Sequence, residues 1–125
     1  MYKYYNPDEF KNDIDACIPR ALNCALNTHF KNRPEVKEKW RFALMELGFK
    51  YISVKAIPFK KRLTVRELAE SADKDSIIIC SCADHVVCIK NNTYYDTVDS
   101  GDKCVFFYFE RRLAENVIST QDSRN

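Results

Sequence analysis

Residues His85 to Ser100 read H-V-V-C-I-K-N-N-T-Y-Y-D-T-V-D-S, and the paired asparagines leave this stretch little freedom of fold. Two Asn between two β-prone runs form the loop of a tight β-hairpin, because Asn tolerates the left-handed backbone such a turn needs. Pairing Lys90 with Thr93 around Asn91-Asn92 puts Val87 opposite Asp96. Side chains alternate along a strand, so His85, Val87 and Asp96 share one face. His85 and Asp96 then lie on a diagonal within reach of each other. A carboxylate so placed orients an imidazole.

An oriented imidazole needs something to act on. A thiol reacts as thiolate, and a helix N-terminus together with a nearby imidazolium lowers its pKa from about 8.5 to between roughly 3.5 and 7.5. Of six cysteines, Cys17 in D-A-C-I-P-R-A-L is the one with sequence grounds for standing at a helix start. Cys24 is two turns further in, Cys80, Cys82 and Cys88 fall in apolar strands, and Cys104 opens another strand. Alone, Cys17 reads as one more buried small hydrophobe. Beside a His-Asp hairpin it reads as a nucleophile, with His85 as its base and Asp96 as the group that fixes the histidine tautomer.

Rival assignments fit less well. By alternation from Asp96, Asp99 faces the other way, and with Ser100 and Gly101 it suits a turn. Asp84 points away from His85. The other histidine, His29, follows Cys17 by more than two helical turns. Cys80, Cys82, His85 and Cys88 give C-x-C-x2-H-x2-C, which departs from paired zinc knuckles. The sequence therefore predicts no metal site and calls for no cofactor.

The chain has 125 residues, enough for one domain with a real core. Apolar residues make up 46% of it, which marks a globular chain. The net charge of +2, from 20 basic and 18 acidic residues, gives no general drive towards nucleic acid or anionic lipid. Lys55, Lys60, Lys61, Arg62 and Arg66 cluster, and they read as a solvated loop and helix start. No apolar run nears the ~20 residues of a membrane span, and the first ten residues lack a secretory layout. Six cysteines in that setting predict reduced thiols and a cytoplasmic location.

Along the chain, residues 1–13 read as an irregular or short helical lead-in. Asp13 or Asp15 can cap a helix from about Ala16 to Thr28, with Ile18, Ala21, Leu22, Ala25 and Leu26 at helical spacing. Pro19 suits its first turn. A second helix follows Pro34 and stops at Gly48, with Val36, Trp40, Ala43, Leu44 and Leu47 as its buried stripe. Phe49 to Ile57 reads as a strand. Thr64 and Glu67 have capping-box spacing, and Leu63 can staple onto Leu68. Ile77–Cys82, His85–Lys90, Thr93–Thr97 and Cys104–Phe109 are strand-like. Helices first and an antiparallel sheet after predict an α+β fold, a single domain over residues 1–117 and a frayed polar tail over 118–125.

These segments carry a resemblance. D-A-C-I-P-R-A-L at Asp15–Leu22, L-G-F-K at Leu47–Lys50, T-V-R-E-L-A-E at Thr64–Glu70 and the His85–Ser100 hairpin resemble small phage and prophage proteins of the papain-like superfamily, akin to the bacteriocin-processing cysteine peptidase fold. The likeness spans about residue 12 to about residue 110, and the first and last segments are the specific ones. It implies a papain-like architecture, N-terminal helices packed on a C-terminal antiparallel β-sheet. It also implies Cys17, His85 and Asp96 as a catalytic triad in a phage or mobile-element setting. Such enzymes carry a Gln upstream of the cysteine to bind the oxyanion. Here Lys11 and Asn12 fill that region, so Asn12 is the candidate, with the Cys17 amide as a second donor. Ala16 stands where relatives have Asp.

The function expected is that of a cysteine hydrolase acting on a peptide, isopeptide or amide bond of a peptide or protein substrate. The alternative is a catalytically inactive papain-like fold that binds and inhibits a host factor.

Overall fold

The computed structural model describes residues 1–6, 17–26, 34–55 and 62–112, and of residues 34–38 the backbone alone. Expectations for Asn12, Asp13, Asp15, His29, Lys60, Lys61 and the tail over 118–125 fall outside the described residues.

Among the described residues the fold is α+β, with three helices and one six-stranded mixed sheet. Strand β1 (Tyr2–Tyr4) precedes helix α1 (Cys17–Leu26) and helix α2 (Pro34–Glu46). Strand β2 (Lys50–Ser53) and helix α3 (Val65–Ser71) follow, then β3 (Ser76–Cys82), β4 (His85–Lys90), β5 (Thr93–Asp96) and β6 (Phe107–Arg112). Across the sheet the order is β1-β5-β4-β3-β6-β2.

Two expectations change here. Residues 2–4, read as an irregular or helical lead-in, form a strand that pairs parallel to β5, Tyr2 with Tyr94 and Tyr4 with Asp96. The sheet is therefore mixed, where antiparallel was expected. The three residues Y-K-Y alternate too briefly to signal a strand, and their pairing is supplied by a partner 92 positions away. Nor do the helices form one layer. Helices α1 and α2 pack Ala21, Leu22, Ala25, Trp40 and Leu44 against Ile77, Ile79, Val86, Cys88 and Phe109. Helix α3 covers the other face, packing Val65, Leu68 and Ala69 against Ile78, Cys80, Val87, Ile89 and Tyr94. Strands β3 and β4, buried on both faces, carry the near-continuous apolar runs that such burial requires.

Local signals end α2 and start α3 where expected. Gly48 takes φ +89°, and Phe49 N–H reaches Leu44 C=O at 3.0 Å while Gly48 N–H reaches Met45 C=O at 3.1 Å. This is a Schellman closure, which needs a residue that accepts left-handed backbone at C′. Thr64 caps α3: its hydroxyl accepts from Glu67 N–H at 3.2 Å, and Glu67 Oε1 accepts from Thr64 N–H at 3.0 Å. Leu63 packs with the apolar cluster that holds Leu68. Arg62 and Arg66, from the basic cluster, are engaged at the surface: Arg62 donates to Val54 C=O at 2.8 Å and Arg66 to Asp102 at 2.5 Å. No helix among the described residues is long and apolar enough to cross a membrane.

Two substitutions test this frame. Ile79 is fully buried, so Ile79→Ala is expected to cost about 2–5 kcal/mol in urea unfolding. Thr64→Ala removes one cap and is expected to cost ~1 kcal/mol. An equal effect of the two would contradict the layering.

Candidate thiol-imidazole-carboxylate site

The site begins with the turn. Asn91 and Asn92 take φ 52° and 58°, the left-handed values of a type I′ hairpin. Lys90 pairs with Thr93, Ile89 with Tyr94 and Cys88 with Tyr95, the register expected from the two-residue loop. Asn92 is held further, because its amide donates to Ala69 C=O at 2.9 Å and Ala72 C=O at 2.5 Å at the end of α3.

Residues flanking a two-residue hairpin loop exchange both backbone hydrogen bonds. The amides of Lys90, Cys88 and Val86 therefore all point towards β5. Strand β4 has six residues and β5 four, so β5 stops at Asp96 and leaves His85 and Val86 overhanging. The Val86 N–H, with no β5 partner on that side, is turned towards Cys17 and lowers the pKa of its thiol. Cys17 is the first residue of α1 and is half-buried.

On the overhang, His85 Nε2 meets Asp96 Oδ2 at 2.5 Å. The Cys17 sulfur stands beside the same imidazole, close enough that the ring lowers the thiol pKa and the thiol raises that of the ring. Since Asp96 occupies Nε2, Nδ1 is the nitrogen left for sulfur. Asp96 is itself fixed: Thr97 N–H donates to its Oδ1 at 2.7 Å, and Tyr5 N–H and the Tyr2 hydroxyl both donate to its carbonyl, at 2.8 and 3.1 Å. Strand β1 thus clamps the backbone of the residue that orients the histidine.

The electrostatics follow from these contacts. At Cys17, burial pushes the thiol pKa up. The hydrogen bond with His85, the Val86 N–H, the His85 charge and the Ile18 N–H together outweigh it and hold the thiol below its ordinary value. His85 rises from 6.5 to about 9, chiefly through its bond to Asp96 and next through its bond to Cys17, against desolvation. At Asp96 desolvation raises the pKa, but the His85 bond, the adjacent buried Ser100 hydroxyl, the His85 charge and the Thr97 amide lower it overall. Both neighbours favour the charged form of the imidazole, Asp96 more than Cys17.

The structure brings together Cys17, His85 and Asp96, the three residues singled out from the sequence. Asn12 lies outside the described residues. Asp99 lies past the end of β5, where alternation no longer applies. It accepts from the Tyr94 hydroxyl, on the α3 face, at 2.5 Å and from Gly101 N–H at 3.0 Å, so the turn role holds but the opposite-face placement does not. Asp84 sits exposed in the β3–β4 turn with φ 54°. The cysteines near His85 are divided by the sheet, with Cys80 and Cys82 on the α3 face and Cys88 on the α1 face. All six cysteines are free thiols. No group of three or more His, Cys, Asp or Glu among the described residues could hold a metal ion. The Val86 amide was not anticipated, since a backbone donor has no side-chain signature. The unequal lengths of β4 and β5 are its only trace. Comparison with protein-family models, curated proteins and solved structures returns no match.

Folding raises the pKa of His85, so the native state binds that proton more tightly than the unfolded chain. The resulting stability is complete below about pH 6.5 and is lost as pH rises through about 9. The lowered pKa of Asp96 contributes stability above pH 3.8 that is lost on acidification. Titration of the His85 ring by NMR is expected to give a midpoint near 9. In Asp96→Asn the midpoint should fall towards the ordinary histidine range. A midpoint near 6.5 in the unmodified chain would refute the ion-pair arrangement.

Proposed function

We propose that this chain is a cysteine hydrolase with a papain-like active site, acting on a peptide, isopeptide or amide bond. One arrangement carries the reading: a buried carboxylate meets an imidazole nitrogen at 2.5 Å, and a helix-start thiol stands beside the same ring. Most free cysteines are inert packing residues. A thiol held below its ordinary pKa by an oriented imidazolium, and half-accessible to solvent, is instead an activated nucleophile.

In this reading the Cys17 thiolate attacks the substrate carbonyl, forming a carbon–sulfur bond and an oxyanion. The His85 imidazolium gives its proton to the leaving amine as the carbon–nitrogen bond breaks, leaving a thioester. His85 then takes a proton from water, whose oxygen attacks the thioester. The carbon–sulfur bond breaks, the acid is released, and the thiolate departs beside the imidazolium that His85 has again become. Asp96 holds the ring so that Nδ1 faces sulfur throughout and stabilises the charged form. The Cys17 amide, at the start of α1, and Asn12 are the proposed oxyanion donors.

The test uses thiol labelling and an activated acyl substrate. With iodoacetamide at mildly acidic pH, Cys17 should be modified ahead of the other five cysteines, and the preference should vanish in His85→Ala. With p-nitrophenyl acetate, Cys17 should be acetylated in a burst read by mass spectrometry. His85→Ala should slow acylation by about 10²–10⁴-fold, the usual worth of a positioned base. Equal labelling of all the cysteines, with no acyl adduct at Cys17, would leave a binding protein and not an enzyme.

A further inference from the structure

The face of the sheet that receives Cys17 carries an aromatic surface two strands away. Val86 pairs with Ser81, and Ser81 pairs with Phe107, so the three form one row across β4, β3 and β6. Ser81 is the one residue of β3 that is not buried, an opening in an otherwise covered strand. Beyond it, the Phe107 ring lies 6.4 Å from Trp40 in a stacked pair and 5.4 Å from Tyr51. Tyr51 is 52% exposed. The Arg41 guanidinium lies over this cluster, 4.5 Å from the Phe107 centroid and 5.5 Å from that of Trp40.

Two features make this more than a packing detail. Exposed aromatic area rimmed by an arginine has the composition of binding surfaces, where rings and Arg are enriched. Among the described residues no carboxylate pairs with Arg41. A guanidinium over aromatic rings still has N–H donors to offer a carboxylate, and the half-exposed Tyr51 offers apolar contact beside it. The charge and apolar area together match a ligand that is acidic and aromatic at once.

The placement fits a substrate segment. Two strand spacings of about 4.8 Å separate Val86 from Phe107 along that row, roughly the length of three extended residues. We propose that Arg41, Tyr51 and Phe107 form a substrate subsite that takes an aromatic residue next to an acidic one, about three residues from the carbonyl presented to Cys17 across Ser81. The assignment of that carbonyl rests on the hydrolase reading; the ligand chemistry of the subsite does not.

Trp40 is the single tryptophan of the chain and lies beneath Arg41, so its fluorescence reports occupancy without any reaction. The probes are acetyl-Phe-Glu-Gly-Gly-amide and its Lys counterpart, titrated into the full chain. The Glu peptide is expected to bind about threefold to fivefold tighter, the scale of one exposed Arg–carboxylate contact. Arg41→Glu should reverse the preference, and Phe107→Ala should weaken both peptides. At saturation the Glu peptide should slow iodoacetamide modification of Cys17 severalfold. Equal affinities in the unmodified chain, or a Glu preference that survives Arg41→Glu, would overturn the subsite. So would binding that leaves Cys17 unprotected. Charge-selective binding and protection in a chain whose Cys17 forms no acyl adduct would sink the hydrolase while supporting the subsite.

Discussion

The register of the β4–β5 hairpin is the constraint on which the site depends. Asn91 and Asn92 supply two successive left-handed residues, which fixes Lys90 against Thr93. A slip of one residue would turn every side chain of β5 to the opposite face and carry Asp96 away from His85. The slip is resisted on both sides. Tyr94 and Ile89 are buried under α3, and the Asn92 amide is tied to the end of that helix. Helix α3 thus acts on the chemistry from the far side of the sheet, without touching it.

The second dependence is on where pairing stops. An amide inside a sheet is consumed by the ladder, whereas one overhanging a shorter neighbour is free to bind something else. The Val86 N–H is such an amide, and it acts on the thiol of the first residue of α1, lowering its pKa. Cys17 arrives from the helix layer on one face. By alternation His85 and Asp96 belong to the face that holds α3. They meet at the overhang because it is the place where β5 no longer separates the two layers.

Much of this was legible in the sequence. The two-residue turn, the Thr64–Glu67 capping box and the Gly48 stop are local devices whose chemistry is set by neighbours in the chain, and each appears as expected. Asp96 was legible from the register of the two-residue turn, whereas alternation misplaced Asp99, because β5 stops at Asp96. Strand β1 was not legible, because Tyr2–Tyr4 gains its conformation from pairing with Tyr94–Asp96. The placement of α3 on the opposite face to α1 was equally hidden. A short amphipathic helix carries one apolar stripe, and nothing in that stripe names which side of a two-sided sheet it will cover.

By itself the sequence determined the elements that local stereochemistry decides: where helices begin and stop, where the chain reverses, and which residues of β4 and β5 share a face. It also narrowed the reactive groups to Cys17, His85 and Asp96. The tertiary structure alone decided that Cys17 reaches His85, that β1 clamps Asp96, and that Val86 has an amide to give. These are contacts between segments about 70 to more than 90 residues apart, fixed by how two helix layers and a six-stranded sheet fill space together. Spacing in the chain carries no record of such contacts, because each depends on the packing of residues that take no part in it.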